Sequence, residues 1–136
     1  MILSISGISR SNIRGLVLRI FGTLFCIVFA VVYNQFGHGV TSPYMNFMFL
    51  YPLVLGVGGY LILMRVHRTE CFFTPWSKWY HWGIVTLVFG NALKGIFDIA
   101  GTSSPYVVLY WIVGGMLIFI GTIGILLSRT QGAKEN

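Results

Sequence analysis

His81-Trp-Gly-Ile-Val-Thr-Leu-Val-Phe-Gly-Asn-Ala-Leu-Lys-Gly-Ile-Phe-Asp98 decides how this chain is read. The run is apolar for the length of a bilayer crossing, yet it carries Asn91, Lys94 and Asp98. At about 100° per residue these three fall within a helical sector of roughly 60°. An amine and a carboxylate four apart inside a membrane span are costly unless they pair or serve a purpose.

Three further segments resemble this one in length and apolarity. The four lie at about 15–36, 46–66, 79–100 and 105–128. Each holds roughly 20 residues, enough to cross a ~30 Å hydrocarbon core as a helix. Only 9% of the residues are charged and 56% are hydrophobic, against roughly 25% charged in soluble domains. Gly37-His-Gly-Val-Thr-Ser-Pro43 separates the first pair of spans and Gly101-Thr-Ser-Ser-Pro105 the second. Both are built from turn-forming residues. The expected fold is all-α: a single integral membrane four-helix bundle of two antiparallel hairpins.

Orientation follows from lysine and arginine. Arg10, Arg14 and Arg19 precede or enter the first span, Arg65, Arg68 and Lys78 flank the middle loop, and Arg129 and Lys134 follow the last span. The two Ser-Pro turns contain neither residue type. The positive-inside rule then places the N-terminal segment 1–14, the middle loop His67–Lys78 and the tail 129–136 in the cytoplasm. A bacterial plasma membrane is the expected location. The first span has a basic start but a long apolar stretch and no small-x-small cleavage site, so it reads as an uncleaved anchor. The net charge of +6 sits at the ends of apolar runs and is not gathered into a patch. Nucleic acid is therefore not expected as a partner. Trp76, Trp79, Tyr80 and Trp82 at the inner side, and Tyr33, Tyr44 and Tyr106 at the outer side, read as interfacial belts.

The two outer turns also resemble each other: Gly39-Val-Thr-Ser-Pro-Tyr44 against Gly101-Thr-Ser-Ser-Pro-Tyr106. A parallel duplication of one hairpin accounts for this. So does the frequent use of Ser-Pro at helix starts, with Ser as the N-cap. Small residues supply the packing surfaces that membrane helices need. They are Gly15, Gly22, Cys26 and Ala30 on the first span, Gly56 and Gly59 on the second, Gly83, Gly90 and Gly101 on the third, and Gly114, Gly121 and Gly124 on the fourth. A kink is expected at Pro52. Because Gly83 and Gly90 share a side with Asn91, Lys94 and Asp98, that side is expected to face the bundle interior.

Lys94 and Asp98 would lie roughly 8–10 Å below the outer boundary. They read either as a path for a polar or ionic substrate or as a structural pair, with Lys94 snorkelling outward. Asn91, deeper, suits an interhelical hydrogen bond or a substrate contact. Arg14, Arg19, Arg65, Arg68 and Lys78 are candidates for lipid headgroup contact, and snorkelling accounts for Arg19. The catalytic templates are missing, since Glu70 and Glu135 are the only acids besides Asp98 and no HExxH or GxSxG occurs. The two cysteines, Cys26 and Cys71, fall at different depths and form no CxxC, so neither a disulfide nor a zinc site is expected. His67 and His81 do not suit a bis-histidine haem. No cofactor, metal or catalytic residue is expected.

Gly95-Ile-Phe-Asp-Ile-Ala-Gly-Thr-Ser-Ser-Pro-Tyr106 resembles segments of small, uncharacterised four-helix bacterial membrane proteins. The resemblance covers about a tenth of the chain and carries no activity with it. Small multidrug exporters share the size and span number but carry a glutamate in their first helix, and this first span has no acid. Two functions follow as expectations: a non-catalytic accessory or structural subunit of a membrane assembly, or a small oligomeric transporter or channel with its polar site on the third helix. The expected partners are membrane lipids and other membrane subunits or copies of the same chain.

Overall fold

The computed structural model describes residues 10–66 and 75–132. It comprises α1 (Arg10–Phe36), a one-turn α2 (Pro43–Asn46), a π-helical stretch (Tyr51–Gly58) that runs into α3 (Gly59–Val66), α4 (Pro75–Ile99) and α5 (Val107–Gly132). No strand occurs among the described residues. Four helical segments are long and apolar enough to cross a bilayer: Ile13–Phe36, Pro43–Ile62, Pro75–Ile99 and Val107–Ser128. Pro43–Ile62 is called the second span below.

Several boundaries differ from the sequence reading. α1 starts at Arg10, so residues 10–14 are helical and continuous with the first span. α4 starts at Pro75, which takes Trp76, Ser77 and Lys78 out of the middle loop and into a first turn. Proline there has no N–H to leave unpaired and arrives with helical φ. α5 runs on to Gly132 through part of the expected tail. His67, Arg68, Glu70, Cys71 and Lys134 lie outside the described residues.

The second span departs furthest from expectation. Where a kinked α-helix was expected, the chain makes one α-turn, a set of tight turns, then eight π-helical residues beginning beside Pro52. Pro52 has no N–H to give the Met48 carbonyl. Tyr51 N–H supplies it from one residue earlier, at 3.4 Å, and Leu53 N–H bonds Phe49 O at 3.1 Å. The disruption is thus spread over two turns of widened helix rather than concentrated in a bend.

α4 and α5 pair most extensively, and α1 packs on the π-helical stretch, which in turn meets α4. The glycines explain the closeness of the α4–α5 pair. A β-carbon at Gly83 would come within 2.9 Å of Gly114 O, and one at Gly114 within 3.1 Å of Gly83 O, so the two backbones nearly touch. Gly124 seats the Trp76 ring in the same way. Gly101, expected on the helical face, lies instead in the turn after α4 with φ +70°. There it allows the helix to close, with Thr102 N–H bonded back to Phe97 O at 2.9 Å, as in a Schellman end. Gly39, its counterpart in the first turn, also has positive φ, +89°.

Candidate functional site

Asp98 lies in the last turn of α4, where the helix dipole disfavours a carboxylate. It is held by two partners. The Lys94 ammonium donates to Oδ1 at 2.6 Å, and the Ser42 hydroxyl donates to Oδ2 at 2.9 Å. Ser42 is 1% exposed and has an extended backbone, φ −107° and ψ 129°, as the residue before a proline prefers. It occupies the N-cap position of α2 but makes no side-chain capping bond. Its hydroxyl is directed across to α4 instead. The Ser-Pro pair therefore does more here than start a helix.

The pair also reaches the fourth span. The Lys94 ammonium lies 5.5 Å from the Tyr44 ring centroid, and Tyr44 stacks on Trp111 of α5 at 5.8 Å. Gly95 lets α2 sit against α4, since a β-carbon there would come 2.7 Å from Met45 Cβ. Ser42, Tyr44, Lys94, Asp98 and Trp111 thus join three spans at one end of the molecule. Both charged side chains remain 27% exposed, so they occupy a shallow position at the rim. Asn91 stands apart from them. It is 3% exposed, and its amide donates to Leu87 O of its own helix at 2.8 Å. The sequence grouped the three residues by angle, while the structure joins only Lys94 and Asp98.

A second cluster forms at the opposite end. Arg19 Nη1 donates to Gly15 O at 2.9 Å, and the guanidinium lies 4.5 Å from the Tyr60 ring centroid. The side chain is thus turned toward the start of α1, as snorkelling requires, and is held there by a cation–π contact. Arg14, Arg65 and Lys78 are exposed. Tyr80, expected in an interfacial belt, donates its hydroxyl to Leu55 O in the π-helical stretch at 2.9 Å. Gly59 makes room for it, since a β-carbon there would lie 2.8 Å from the Tyr80 oxygen. Only the periodicity of a regular helix can be read from sequence, so a bond to an irregular one could not be foreseen. Tyr80→Phe is expected to cost about 1 kcal/mol, the worth of one such bond. The measurement is unfolding in mild detergent followed by circular dichroism, and an unchanged midpoint would exclude the role.

Between α1 and α4 runs an apolar groove of about 410 Å³, floored by Met48, Pro52 and Gly56 of the second span. Cys26, 4% exposed, packs into its wall. No residue of the Lys94–Asp98 cluster lines it. Among the described residues no three His, Cys, Asp or Glu side chains gather as a metal site would require.

No known protein family matches this chain. Neither the curated proteins nor the solved structures contain a significant match to it.

Proposed function

We propose that this chain is a non-catalytic accessory or structural subunit of a membrane assembly. In this reading it crosses a bacterial plasma membrane four times, as two antiparallel helical hairpins gathered into a bundle, with both termini cytoplasmic. One observation carries the functional part. The two charges in the last turns of the third span, Lys94 and Asp98, are engaged within the chain, on Ser42 and beneath Tyr44, while the faces turned outward are apolar. Phe21, Phe25 and Val28 of α1 and Phe119, Leu126 and Leu127 of α5 are all more than half exposed, except Leu126 at 49%. Such faces meet lipid or another helix and offer nothing to a polar substrate. The distribution of Lys and Arg supports the orientation. Membrane lipids and other subunits, or copies of the chain, are the partners in this reading; no nucleic acid and no cofactor enters it.

The test is gentle solubilisation from native membranes followed by native electrophoresis and mass spectrometry. The expected result is a complex with a stoichiometric membrane partner, or with further copies of the chain. Recovery only as a 15.2 kDa monomer would overturn the proposal. The partial exposure of Lys94 and Asp98 supports the second reading, a small oligomeric transporter or channel with Asn91, Lys94 and Asp98 along its path. Ion or solute flux into liposomes would establish that reading only if Lys94→Met with Asp98→Asn abolished the flux while the fold survived.

A further inference from the structure

The groove between α1 and α4 has a defined polarity. Its walls and floor are apolar, with Gly22 and Cys26 on α1, Pro52 and Gly56 on the second span, and Ile84 and Val88 on α4. Arg19 and His81 also line it, and both belong to the end where α1 and α4 begin. A second, more open pocket of about 310 Å³ shares Leu18, Arg19 and His81 with the groove and adds Ser77 and Lys78. The two spaces therefore adjoin along Leu18, Arg19 and His81: an apolar slot beside a cationic, hydroxyl-bearing mouth.

The length of the slot matches one leaflet. It runs from Leu18 to Phe29 on α1 and from His81 to Ala92 on α4. Eleven residue steps at about 1.5 Å each give roughly 16 Å on either wall. One leaflet contributes about 15 Å, half of a ~30 Å hydrocarbon core. On the spans Ile13–Phe36 and Pro75–Ile99 the slot begins five residues inside α1 and six inside α4 and ends beyond the middle of each, and the second pocket, with Gly15, Ser77 and Lys78, carries the space on to the basic end. Arg19 is held in place at that mouth, its stem packed 3.8 Å from the position of a Gly56 β-carbon and its guanidinium over Tyr60. Lys78 is exposed beside it.

We infer that this groove is a binding site for a single anionic phospholipid of the leaflet at the basic end. One acyl chain lies along Gly22, Pro52 and Ile84. The phosphate, with any further negative charge on the headgroup, is held by Arg19, Lys78 and His81, with the Ser77 hydroxyl as a further donor. An open apolar slot in a bilayer is filled by some acyl chain in any case. The cationic mouth is what selects the headgroup and slows exchange. The site rests on the membrane-spanning reading of the chain and is independent of which partners it assembles with.

The experiment reconstitutes the full chain in vesicles of equal parts phosphatidylcholine and phosphatidylglycerol. The chain is then extracted in mild detergent and its retained lipids counted by native mass spectrometry. One phosphatidylglycerol per chain is expected, in clear preference to phosphatidylcholine. A β-carbon at Gly22 meets nothing within 4 Å, so Gly22→Phe grows into the slot without displacing a helix. It is expected to empty the site of both lipids while the unfolding midpoint stays put. Lys78→Gln with His81→Gln leaves the slot open and is expected to reduce the phosphatidylglycerol preference, by about fivefold for the loss of one basic charge. Equal retention of the two lipids by the parent chain would overturn the proposal. So would a folded Gly22→Phe that retains lipid as the parent does, or a Lys78/His81 variant with unchanged preference. Recovery of the chain in the aqueous fraction would overturn the membrane-spanning reading as well.

Discussion

Gly121→Leu is expected to separate α4 from α5 and lower stability by at least about 3 kcal/mol, the upper range for overpacking a tight contact. At Gly121 a β-carbon would lie 2.5 Å from Tyr80 N, 2.8 Å from Tyr80 Cα and 2.8 Å from Tyr80 Cβ. The first two are backbone atoms, which cannot rotate away as a flexible side chain can. The helices themselves must move apart, and every other close contact along the pair then loosens: Gly83 on Gly114, Gly90 on Tyr110, Gly124 on Trp76. In a membrane that loss is not offset by a hydrophobic drive, because lipid tails solvate an exposed helix as well as a neighbour does. Gly115→Leu is the matching control on the same helix. A β-carbon there meets nothing within 4 Å, and replacing a helical glycine is itself mildly favourable. Thermal unfolding in detergent, followed by tryptophan fluorescence, separates the two. Equal midpoints for the Gly115 and Gly121 variants would show that the packed face is misassigned.

Asp98→Ala is expected to have the second largest effect, about 2 kcal/mol. It leaves the Lys94 ammonium in an apolar span without its 2.6 Å partner, and it leaves the buried Ser42 hydroxyl without its acceptor. The 27% exposure of both charged side chains keeps the cost below that of breaking a fully buried pair. Lys94→Met combined with Asp98→Asn should recover much of the loss. Methionine removes the unpaired charge, and the asparagine carbonyl can still accept from Ser42. A double variant as unstable as Asp98→Ala, or more so, would mean that the bond from Ser42 to residue 98 is not what fastens the second span to α4.

The Lys94–Asp98 pair was legible because it is local, four residues apart on one helix, where geometry follows from sequence spacing alone. Ser42 was not, because it lies 56 positions from Asp98 and helical periodicity says nothing about so distant a partner. Tyr80 was assigned to a belt on the strength of its neighbours Trp79 and Trp82, yet it reaches the π-helical stretch. That stretch was itself illegible: Pro52 announced a disruption, but a proline alone does not say whether the helix answers with a kink or a widening. Glycines were visible as candidate contact points on every span, though Gly95 and Gly115 were not among them. Which glycines touch a neighbour (Gly121 and Gly124) and which face open space (Gly22 and Gly115) depends on where the other helices lie.

By itself, the sequence determined the four segments long and apolar enough to cross a membrane, the two Ser-Pro turns and the placement of basic residues at the ends of apolar runs. These properties are sums over neighbouring residues, and transfer free energies and charges add along a segment regardless of what surrounds it. The tertiary structure alone decided the α4–α5 pairing, the anchoring of the second span through Ser42 and Asp98, and the apolar groove lined by Arg19. Hydropathy cannot specify those choices, since a neighbouring helix and a lipid tail are equally apolar. They are settled by shape, close backbone approach and a few polar contacts between residues far apart in the chain.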